Sequence, residues 1–255
     1  MNGWSVKIAV LLGASVAGWC HADDRLFTYS YQATTLPAGK VEMENWITWK
    51  TETPEDSTYN RVEFRHELEI GLTDRVQLDL YLADWSYTDE GHGSTGKFKY
   101  DDSAATIKIN YLNPSTERVG VASYHEVKIG DEIFELENKL LLQVNFERVT
   151  AVYNLTLEAE WEGHAYEEAN GELSQTLGAS YEITPQLFAG LEALYEIPLP
   201  DWHTGADQNF FIGPVASYRF GDAHDWWITG TLLRQTTDTE GEPLWQLRLL
   251  FGFTF

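Results

Sequence analysis

The stretch "LWQLRLLFGFTF", residues 244–255, alternates between apolar and mixed side chains up to its last residue. Counting back from Phe255, one face carries only apolar side chains: Phe253, Phe251, Leu249 and Leu247. The other face carries Thr254, Gly252, Arg248 and Gln246, with Leu250 as the exception. A period of two is the pattern of a β-strand whose two faces meet different surroundings. The stretch therefore predicts a final strand with one apolar face and one mostly polar face.

Residues 1–22 have the pattern of a secretory signal peptide. Lys7 precedes an apolar and small-residue run over residues 8–18, and Ala22 stands directly before an acidic pair. The run is too short for a helix that spans a bilayer, which needs about 20 apolar residues. We expect cleavage near Ala22, which would remove Cys20, the one cysteine of the chain. A mature chain without cysteine excludes a disulfide scaffold and thiol catalysis.

Composition narrows the class of protein further. The chain has 40 acidic and 17 basic residues, a formal net charge of −23, and loss of Lys7 would make that charge more negative. Such a charge argues against nucleic acid as a partner. After residue 22 no apolar segment approaches the length of a membrane-spanning helix. The chain is therefore either soluble or crosses a membrane as the strands of a closed barrel.

Alternation recurs in about a dozen places along residues 41–255, for example at 41–49, 62–70 and 149–161. The connections alternate between short turns, such as "GLTDR" at 71–75, and mostly longer acidic stretches, such as "SYTDEGHGSTGKFKYDDS" at 86–103. This arrangement is typical of barrels whose strands of about 9–11 residues cross the bacterial outer membrane. We predict an all-β fold over residues 41–255, a transmembrane antiparallel up-and-down β-barrel of about 12 strands. Its periplasmic turns would be short and its extracellular loops longer, and its last strand would pair with the first.

Two further features are expected of such a barrel. Aromatic girdles would lie near the strand ends, and six tryptophans suit them: Trp49, Trp85, Trp161, Trp202, Trp226 and Trp227. Residues 23–40 precede the first clear strand, and two interpretations of them stay open. They form either a short periplasmic lead or a plug that folds into the bore and narrows it.

The signal peptide, the dozen alternating strands and the terminal Phe255 together resemble the pattern of a Gram-negative bacterial outer-membrane protein. In that class the last strand is similar to a signal read by the barrel-assembly machinery, with the order polar, any, Gly, any, any, apolar, any, aromatic. Arg248, Phe253 and Phe255 match this order, whereas Leu250 stands where glycine is typical. The resemblance implies an outer-membrane location and an assembly signal at Arg248, Phe251, Phe253 and Phe255. The stretch "GLTDRVQLDLYL", residues 71–82, is similar to hairpins of uncharacterised outer-membrane transport proteins of the phenol-degradation-associated type.

The resemblance also implies partners. We expect contact with outer-membrane lipid and lipopolysaccharide, with the barrel-assembly machinery during biogenesis, and with a small solute of unknown identity. We expect a monomer, no nucleic acid and no cofactor.

The polar faces of the strands would line the lumen of the barrel. The candidate pore-lining residues are Glu42, Glu44, Glu63, Arg65, Glu67, Glu69, Asp79, Lys108, Glu135, Glu137, Lys139, Glu158, Glu160, Glu192, Arg219 and Arg248. Arg234 is assigned to this face as well. An acidic lining lowers the barrier for cations, which favours a narrow, cation-preferring diffusion channel. Alternatively, the same charges pair across strands and close a structural or adhesion barrel with acidic surface loops.

Other functions receive less support from the residues. A membrane hydrolase would need a serine and a histidine near the outer rim, and His92 and His203 are the least implausible bases, without a recognisable nucleophile motif. We therefore expect no enzymatic activity. The acidic stretches 87–94 and 237–242 lack the ligand spacing of a calcium loop, so no specific metal site is predicted. A soluble β-sandwich would also show alternation. Asn45 and His66 fall on apolar faces, where a bulge or register shift could turn either inward.

Overall fold

The computed structural model describes residues 25–91, 95–221 and 225–255. The predicted signal peptide lies outside the described residues. Within them the chain forms thirteen β-strands and one short 3₁₀ turn, Pro200–Trp202, and no helix is long and apolar enough to cross a membrane. The strands are β1 (Val41–Thr51), β2 (Asn60–Thr73), β3 (Val76–Asp89), β4 (Lys97–Tyr100), β5 (Asp102–Leu112), β6 (Gly120–Gly130), β7 (Ile133–Phe146), β8 (Val149–Glu162), β9 (Glu168–Thr184), β10 (Leu187–Leu199), β11 (Asn209–Phe220), β12 (Trp226–Gln235) and β13 (Trp245–Thr254).

The strands close into one antiparallel barrel with 12 strand positions around the ring. Each strand pairs with its neighbour in the chain, and β1 pairs with both β2 and β13, which closes the ring. The short strand β4 and the strand β5 lie on either side of Asp101 and pair with successive parts of β3, so together they occupy one strand position. A closed ring leaves no unpaired sheet edge, the condition for placing strands in lipid. The predicted fold class is confirmed.

The C-terminal stretch, residues 244–255, contains the strand that closes the barrel. β13 pairs with β1 in register from Glu42 opposite Thr254 to Thr51 opposite Trp245. The backbone N–H of Phe255 donates to the carbonyl of Val41 over 2.9 Å. The predicted pairing of the last strand with the first is therefore confirmed.

The two faces of the barrel wall differ as the alternation predicts. Large apolar side chains on the outer face are widely exposed, for example Leu177 and Leu191 at 57% and 58%. Inward-facing neighbours on the same strands, such as Glu192, are buried. A continuous apolar exterior is stabilised by contact with membrane hydrocarbon, because this contact removes the apolar surface from water.

The connections differ in length between the two ends. At the end that holds Val41 and Phe255, the turns span residues 74–75, 113–119, 147–148, 185–186 and 221–225. At the other end the loops span residues 52–59, 90–96, 131–132, 163–167, 200–208 and 236–244. The loop predicted at 86–103 is shorter than expected, because β3 runs on to Asp89 and β4 begins at Lys97. None of the six loops at this second end contains a lysine or an arginine.

A β-bulge in β3 changes the predicted alternation of that strand. Positions up to Tyr81 alternate as expected, but the register with β2 then skips Leu82. Beyond the bulge Asp84 and Ser86 are buried in the interior and Trp85 is exposed outside. Because one extra residue inverts the faces that follow it, the bulge brings in two polar side chains that strict alternation assigned to the exterior or to a loop.

The register of β12 corrects two predictions. Trp227, expected in an aromatic girdle, points inward, is fully buried, and donates its indole N–H to Oε1 of Glu42 over 3.0 Å. Arg234, assigned to the interior face, pairs across the outer face with Trp245, its guanidinium 4.9 Å from the ring centre. Adjacent tryptophans at 226 and 227 fit either face, so the hydrophobic pattern alone could not fix the register.

The two polar residues on apolar faces satisfy each other. Asn45 lies opposite His66 in the β1–β2 ladder, and Oδ1 of Asn45 is 2.8 Å from Nδ1 of His66. His125 and Asn138 repeat the arrangement on β6 and β7, with 2.7 Å between the corresponding atoms. No inward turn is needed, because a directly opposed partner lowers the cost of a polar group on a lipid-facing surface.

The loops at 52–59 and 236–244 are tied together across the seam. The amide of Gly241 donates to Oε2 of Glu55 over 3.1 Å, and the amide of Leu244 donates to the carbonyl of Glu52 over 2.7 Å. The Gly241 hydrogen bond lowers the pKa of the Glu55 carboxyl. The ionised Glu55 carboxylate therefore stabilises the contact between the two loops at pH values above the ordinary pKa of glutamate. This stabilisation is lost as the pH falls through the lowered pKa of Glu55.

We expect Glu55→Gln to weaken this tie at neutral pH, because a neutral amide accepts a hydrogen bond less strongly than a carboxylate. Hydrogen exchange of the Gly241 amide should become severalfold faster in the variant, and wild-type exchange should approach that of the variant in acid after correction for intrinsic rates. Glu240→Gln, in the same loop and exposed, is the matched control. Equal protection of Gly241 in all three proteins would contradict the assignment.

Candidate functional site

Residues 25–38, referred to below as the plug, run through the inside of the barrel. Most of their side chains are buried, including Leu26, Phe27, Thr28, Ala33 and Leu36. Their hydrogen-bond partners come from strands on opposite sides of the ring, including β3, β7, β8, β10 and β12. Of the two interpretations left open for residues 23–40, the position of residues 25–38 is that of a plug.

The plug is not part of a β-sheet, so most of its backbone N–H groups need acceptors from the side chains of the barrel wall. Side-chain amides do so at three levels. The amide of Leu36 donates to Gln77 over 2.6 Å, that of Ala33 to Gln143 over 2.9 Å, and that of Tyr31 to Asn154 over 2.6 Å. Asn110 returns a hydrogen bond to the carbonyl of Ala33, and Asn154 one to that of Tyr31 over 3.0 Å. Neutral amides suit this role, because each offers both a donor and an acceptor.

One carboxylate holds the far end of the plug. Glu192 of β10 accepts the backbone N–H groups of Thr28, Tyr29 and Ser30 over 3.1, 2.8 and 2.6 Å. It also accepts the hydroxyls of Thr28 and Thr231 over 3.2 and 2.9 Å. Glu192 was predicted to line an open pore, but its two oxygens are occupied by the plug and by β12.

Apolar contacts complete the docking. Leu26 and Phe27 pack with Val152, Phe188 and Val215 in one buried cluster. A Cβ on Gly178 of β9 would lie 2.5 Å from the Phe27 ring. Because no real Cβ contact is that short, this wall position requires glycine for the plug to fit.

The plug joins a second apolar cluster that crosses the lumen. Tyr31 and Ala33 pack with wall side chains from five strands: Trp46 of β1, Ala122 and Tyr124 of β6, Leu141 of β7, Trp227 of β12 and Leu250 of β13. Leu250, which stands where glycine is typical of the assembly signal, is fully buried in this cluster. The lumen is therefore filled with packed side chains at the level of Tyr31 and Leu250.

Beyond the plug lies a cavity of ≈ 360 Å³, with Tyr29, Tyr31 and Trp46 among its lining residues. It extends toward the loop end of the barrel, since its lining also includes Lys50, near the end of β1, and Glu242 of the last loop. Its charged lining consists of Lys50, Arg65, Lys128, Lys139, Arg248, Glu137, Glu158, Glu172, Glu196 and Glu242.

The charges of the cavity are unequally distributed between two walls, although two of the five cations, Lys139 on β7 and Lys128 on β6, lie on or beside the wall that carries most of the carboxylates. Glu137, Glu158, Glu172 and Glu196 lie on the consecutive strands β7 to β10. Arg248, Lys50 and Arg65 lie on the consecutive strands β13, β1 and β2, and β8 is diametrically opposite β1 in the ring. Acidic and basic side chains that face each other across a bore produce a transverse field.

Several carboxylates of the acidic wall stand directly beside one another. Glu158 of β8 is opposite Glu137 of β7 on one side and opposite Glu172 of β9 on the other. Lys139 pairs with Glu137 over 2.9 Å and Lys128 with Glu135 over 2.8 Å. Among the residues that the structure describes, Glu158 and Glu172 have no such ion pair. Directly opposed like charges destabilise a ladder, so a positive solute group at this wall would be attracted.

Arg248 links the basic wall to the plug. Its guanidinium lies 3.8 Å from the centre of the Tyr29 ring, and its Nε donates to the Thr48 hydroxyl over 2.9 Å. Nη1 is 3.4 Å from the carbonyl of Thr28. A predicted pore-lining residue thus contacts both the cavity and the plug that closes it.

The predicted pore-lining residues fall into three groups in the structure. The first lies around the cavity or close to it: Glu63, Arg65, Glu135, Glu137, Lys139, Glu158, Glu160 and Arg248. The second is buried on β1, β2, β3 and β5, toward the end with the chain termini: Glu42, Glu44, Glu67, Glu69, Asp79 and Lys108. The third contacts buried aromatic or plug groups, Glu192 at the plug and Arg219 over the Phe188 ring at 4.6 Å. Six members of the first group line one of the two cavities: Glu63, Arg65, Glu137, Lys139, Glu158 and Arg248.

Other residues of the site were missed. Glu172 was not among the predicted pore-lining residues, although it lies on β9, which begins at Glu168. Asp84 and Asp102 line a second, smaller cavity of ≈ 210 Å³ beside Arg65, and Arg65 pairs with Asp84 over 2.5 Å. The bulge in β3 and the break at Asp101 concealed both residues from a strict period of two.

The aromatic residues of the predicted assembly signal lie outside. Phe251, Phe253 and Phe255 form a ring cluster with Trp226 and Phe220 at the end that holds the chain termini. The role of these residues in assembly stays a prediction. Of the candidate catalytic bases, His203 is exposed in the loop at 200–208, and His92 lies outside the described residues.

Comparison with solved structures gives barrels of the same architecture. The crystal structure of the COG4313 outer membrane channel from Pseudomonas putida F1 matches with a TM-score of 0.62 and 14% identity, over 88% of this chain and 98% of that one. The NanC porin matches with a TM-score of 0.53 and 8% identity, over 84% and 98% of the two chains. The KdgM porin matches with a TM-score of 0.51 and 8% identity, over 84% and 99%.

At these identities the likeness shows the fold, that of bacterial outer-membrane β-barrels. No curated protein matches the sequence. None of these matches confirms the resemblance of residues 71–82 to proteins of the phenol-degradation-associated type, which stays a prediction. A family model matches residues 19–244, and the chain belongs to that family, the family of unknown function DUF6662.

Proposed function

We propose that the protein is an outer-membrane channel that admits small solutes from the loop side and is closed below by its own plug. The observation that carries this proposal is the charged cavity of ≈ 360 Å³ between the loops and Tyr29. A barrel that served only as a scaffold has no need of a polar cavity with separated charges. Solved barrels of the same fold include proteins described as a channel and as porins.

The charges suggest which solutes enter. The six loops around the mouth carry acidic residues and no basic ones, which attracts cations and repels anions. Inside, the acidic wall on β7 to β10 and the basic wall on β13, β1 and β2 favour solutes that carry both charges or a strong dipole. We therefore propose a narrow channel with a modest cation preference and an affinity for small dipolar or zwitterionic solutes.

The proposal extends to the surroundings of the barrel. The apolar outer face suits outer-membrane lipid, and the acidic loops suit divalent ions bound between lipopolysaccharide phosphates. We propose a monomer that is assembled by the barrel-assembly machinery through its last strand.

The test is conductance of the purified protein in planar bilayers, with the reversal potential measured under a KCl gradient. We expect small steps with a reversal potential on the cation side. Replacing Glu158 and Glu172 by Gln should move the reversal potential toward zero, because these two carboxylates of the acidic wall have no cationic partner among the described residues. Glu182→Gln, on β9 but near the turn at 185–186, is the matched control and should leave the potential unchanged.

A closed structural barrel is the second candidate, and the packed cluster around Tyr31 and Leu250 favours it. The two functions differ in one result. A channel conducts with its plug in place, whereas a structural barrel shows no conductance steps until the plug is removed.

A further inference from the structure

Five carboxylates lie together inside the barrel, on β1, β2 and β3. Glu42, Glu44, Glu67, Glu69 and Asp79 are all at most 4% exposed. They belong neither to the cavity that carries the proposed channel function nor to the acidic wall on β7 to β10. Their burial needs its own explanation, because buried carboxylates are normally paired or bound to a cation.

Strand register places these residues in two rows of like charge. Glu69 is opposite Glu42 on one side and opposite Asp79 on the other, and Glu44 is opposite Glu67. The nearby cations are Arg25 of the plug, whose Nη1 is 3.6 Å from Oε2 of Glu44, and Lys108 on β5 opposite Gln77. With all five carboxylates ionised, these two cations would not balance the five negative charges.

Some of the carboxylates have donors, but Glu67 does not. Glu42 accepts from Trp227, Glu44 from Trp46 over 2.8 Å, and Asp79 from Gln77 over 2.8 Å. Glu67 is fully buried, and neither of its oxygens has a hydrogen-bond donor in the described part of the chain. The nearby Tyr81 hydroxyl is engaged with Tyr124 over 2.7 Å. A buried carboxylate whose two oxygens lack hydrogen-bond donors is a candidate ligand for a cation.

The spacing of the oxygens suits one class of ion. One ligand atom each from Glu67, Glu69 and Asp79 lie within 4.8 Å of one another, and the same holds for Glu42, Glu44 and Glu69. Two oxygens bound to one Ca²⁺ at about 2.4 Å lie at most about 4.8 Å apart. Ca²⁺ takes six to eight oxygens and tolerates irregular geometry, whereas Mg²⁺ demands a tight octahedron and retains water.

We propose that Glu67, Glu69 and Asp79 bind a calcium ion, with Glu42 and Glu44 completing the negative surroundings. The ion would link β2 and β3 beside Arg25 and would compensate part of the negative charge that the two rows concentrate. This site is independent of the proposed channel function, since it stabilises the barrel whether or not the lumen conducts. The prediction of no metal site rested on linear spacing, which cannot detect ligands contributed by two paired strands.

The test uses the purified, folded full chain after treatment with EDTA. Tb³⁺ replaces Ca²⁺ in oxygen sites, and Trp46, whose indole donates to Glu44, is placed to sensitise its emission. We expect emission on tryptophan excitation that added Ca²⁺ displaces, a bound-metal ratio near one calcium per chain by mass spectrometry, and a melting temperature raised by Ca²⁺. Absence of displaceable emission together with an unchanged melting temperature would overturn the proposal.

Two isosteric variants localise the site. Glu67→Gln and Asp79→Asn should each weaken Ca²⁺ binding by about tenfold or more, since each removes a charged ligand. Glu63→Gln is the matched control on the same face of β2, where Lys50 and Arg61 already pair with the carboxylate over 2.9 and 2.8 Å. Unchanged Ca²⁺ affinity in both site variants would overturn the assignment. If a variant does not fold, the wild-type titration decides whether the ion binds at all.

Discussion

Deletion of residues 25–36 is expected to open the barrel. These residues supply the plug side chains Leu26, Phe27, Tyr31 and Ala33 of the two clusters that fill the lumen. Their removal leaves wall positions such as Gly178 and Ala122 with no partner across the bore, and water would replace the plug. We expect unit conductance in planar bilayers to rise by about tenfold or more over the wild type, because transport through a barrel depends on whether its interior is filled.

The control for this deletion keeps the length of the chain. A variant in which residues 25–36 are replaced by a Gly and Ser segment of equal length keeps the length of the chain but loses the packed side chains. It should conduct like the deletion variant. Folding is checked by the shift in gel mobility between boiled and unboiled samples. A folded deletion variant whose conductance equals that of the wild type would show that the plug does not close the lumen.

The sequence predicts the barrel because its signal is repeated. Each strand carries its own alternation, so one ambiguous segment, such as Trp226 and Trp227, does not alter the count of about 12. The seam between β13 and β1 could be expected for the same reason, since a closed barrel requires it. Local departures were not predictable. The bulge at Leu82 inverts the faces beyond it, and a period of two contains no information about where an extra residue is inserted.

The candidate site was less accessible to sequence reasoning because its parts meet across the lumen. Glu158 and Arg65 were assigned to polar faces, but their positions on opposite walls depend on strand order and on the tilt of each strand. The function of Glu192 could not be predicted, because an inward carboxylate that lines water and one that binds a plug have the same local pattern. Phe27 and Gly178 show the same limit, since they are 151 positions apart and matter only as a pair.

The distribution of inward polar groups has a physical logic once the plug is placed. Amides such as Gln77, Gln143 and Asn154 lie where the plug backbone passes, and charged groups gather where it does not. A neutral amide satisfies a buried N–H without bringing an uncompensated charge into the packed region. Glu192 and Arg248 are exceptions: three backbone donors and two hydroxyls surround the Glu192 carboxylate, and Arg248 contacts the carbonyl of Thr28.

Replacing Glu192 by Ala is expected to release the plug without removing it. The substitution leaves the N–H groups of Thr28, Tyr29 and Ser30 buried and without their acceptor, at a cost of about 1–3 kcal/mol for each unsatisfied group. A total of about 3–9 kcal/mol would shift the ratio of docked to undocked plug by more than about 100-fold. Amide hydrogen exchange at residues 28–30 should accelerate accordingly, and the conductance should approach that of the deletion variant.

Glu196→Ala separates loss of the anchor from loss of any interior carboxylate. Glu196 lies on the same strand and the same face four residues further on, and its carboxylate accepts from the side-chain amide of Asn209 over 3.5 Å rather than from the plug. Its replacement should alter ion preference at the cavity and leave exchange at residues 28–30 unchanged. Glu192→Gln should fall between wild type and Glu192→Ala, because its amide oxygen still accepts while its NH₂ group faces donors. If Glu192→Ala and Glu196→Ala gave the same exchange rates at residues 28–30, the plug would be held by its apolar contacts, and Phe27 would be the residue to replace.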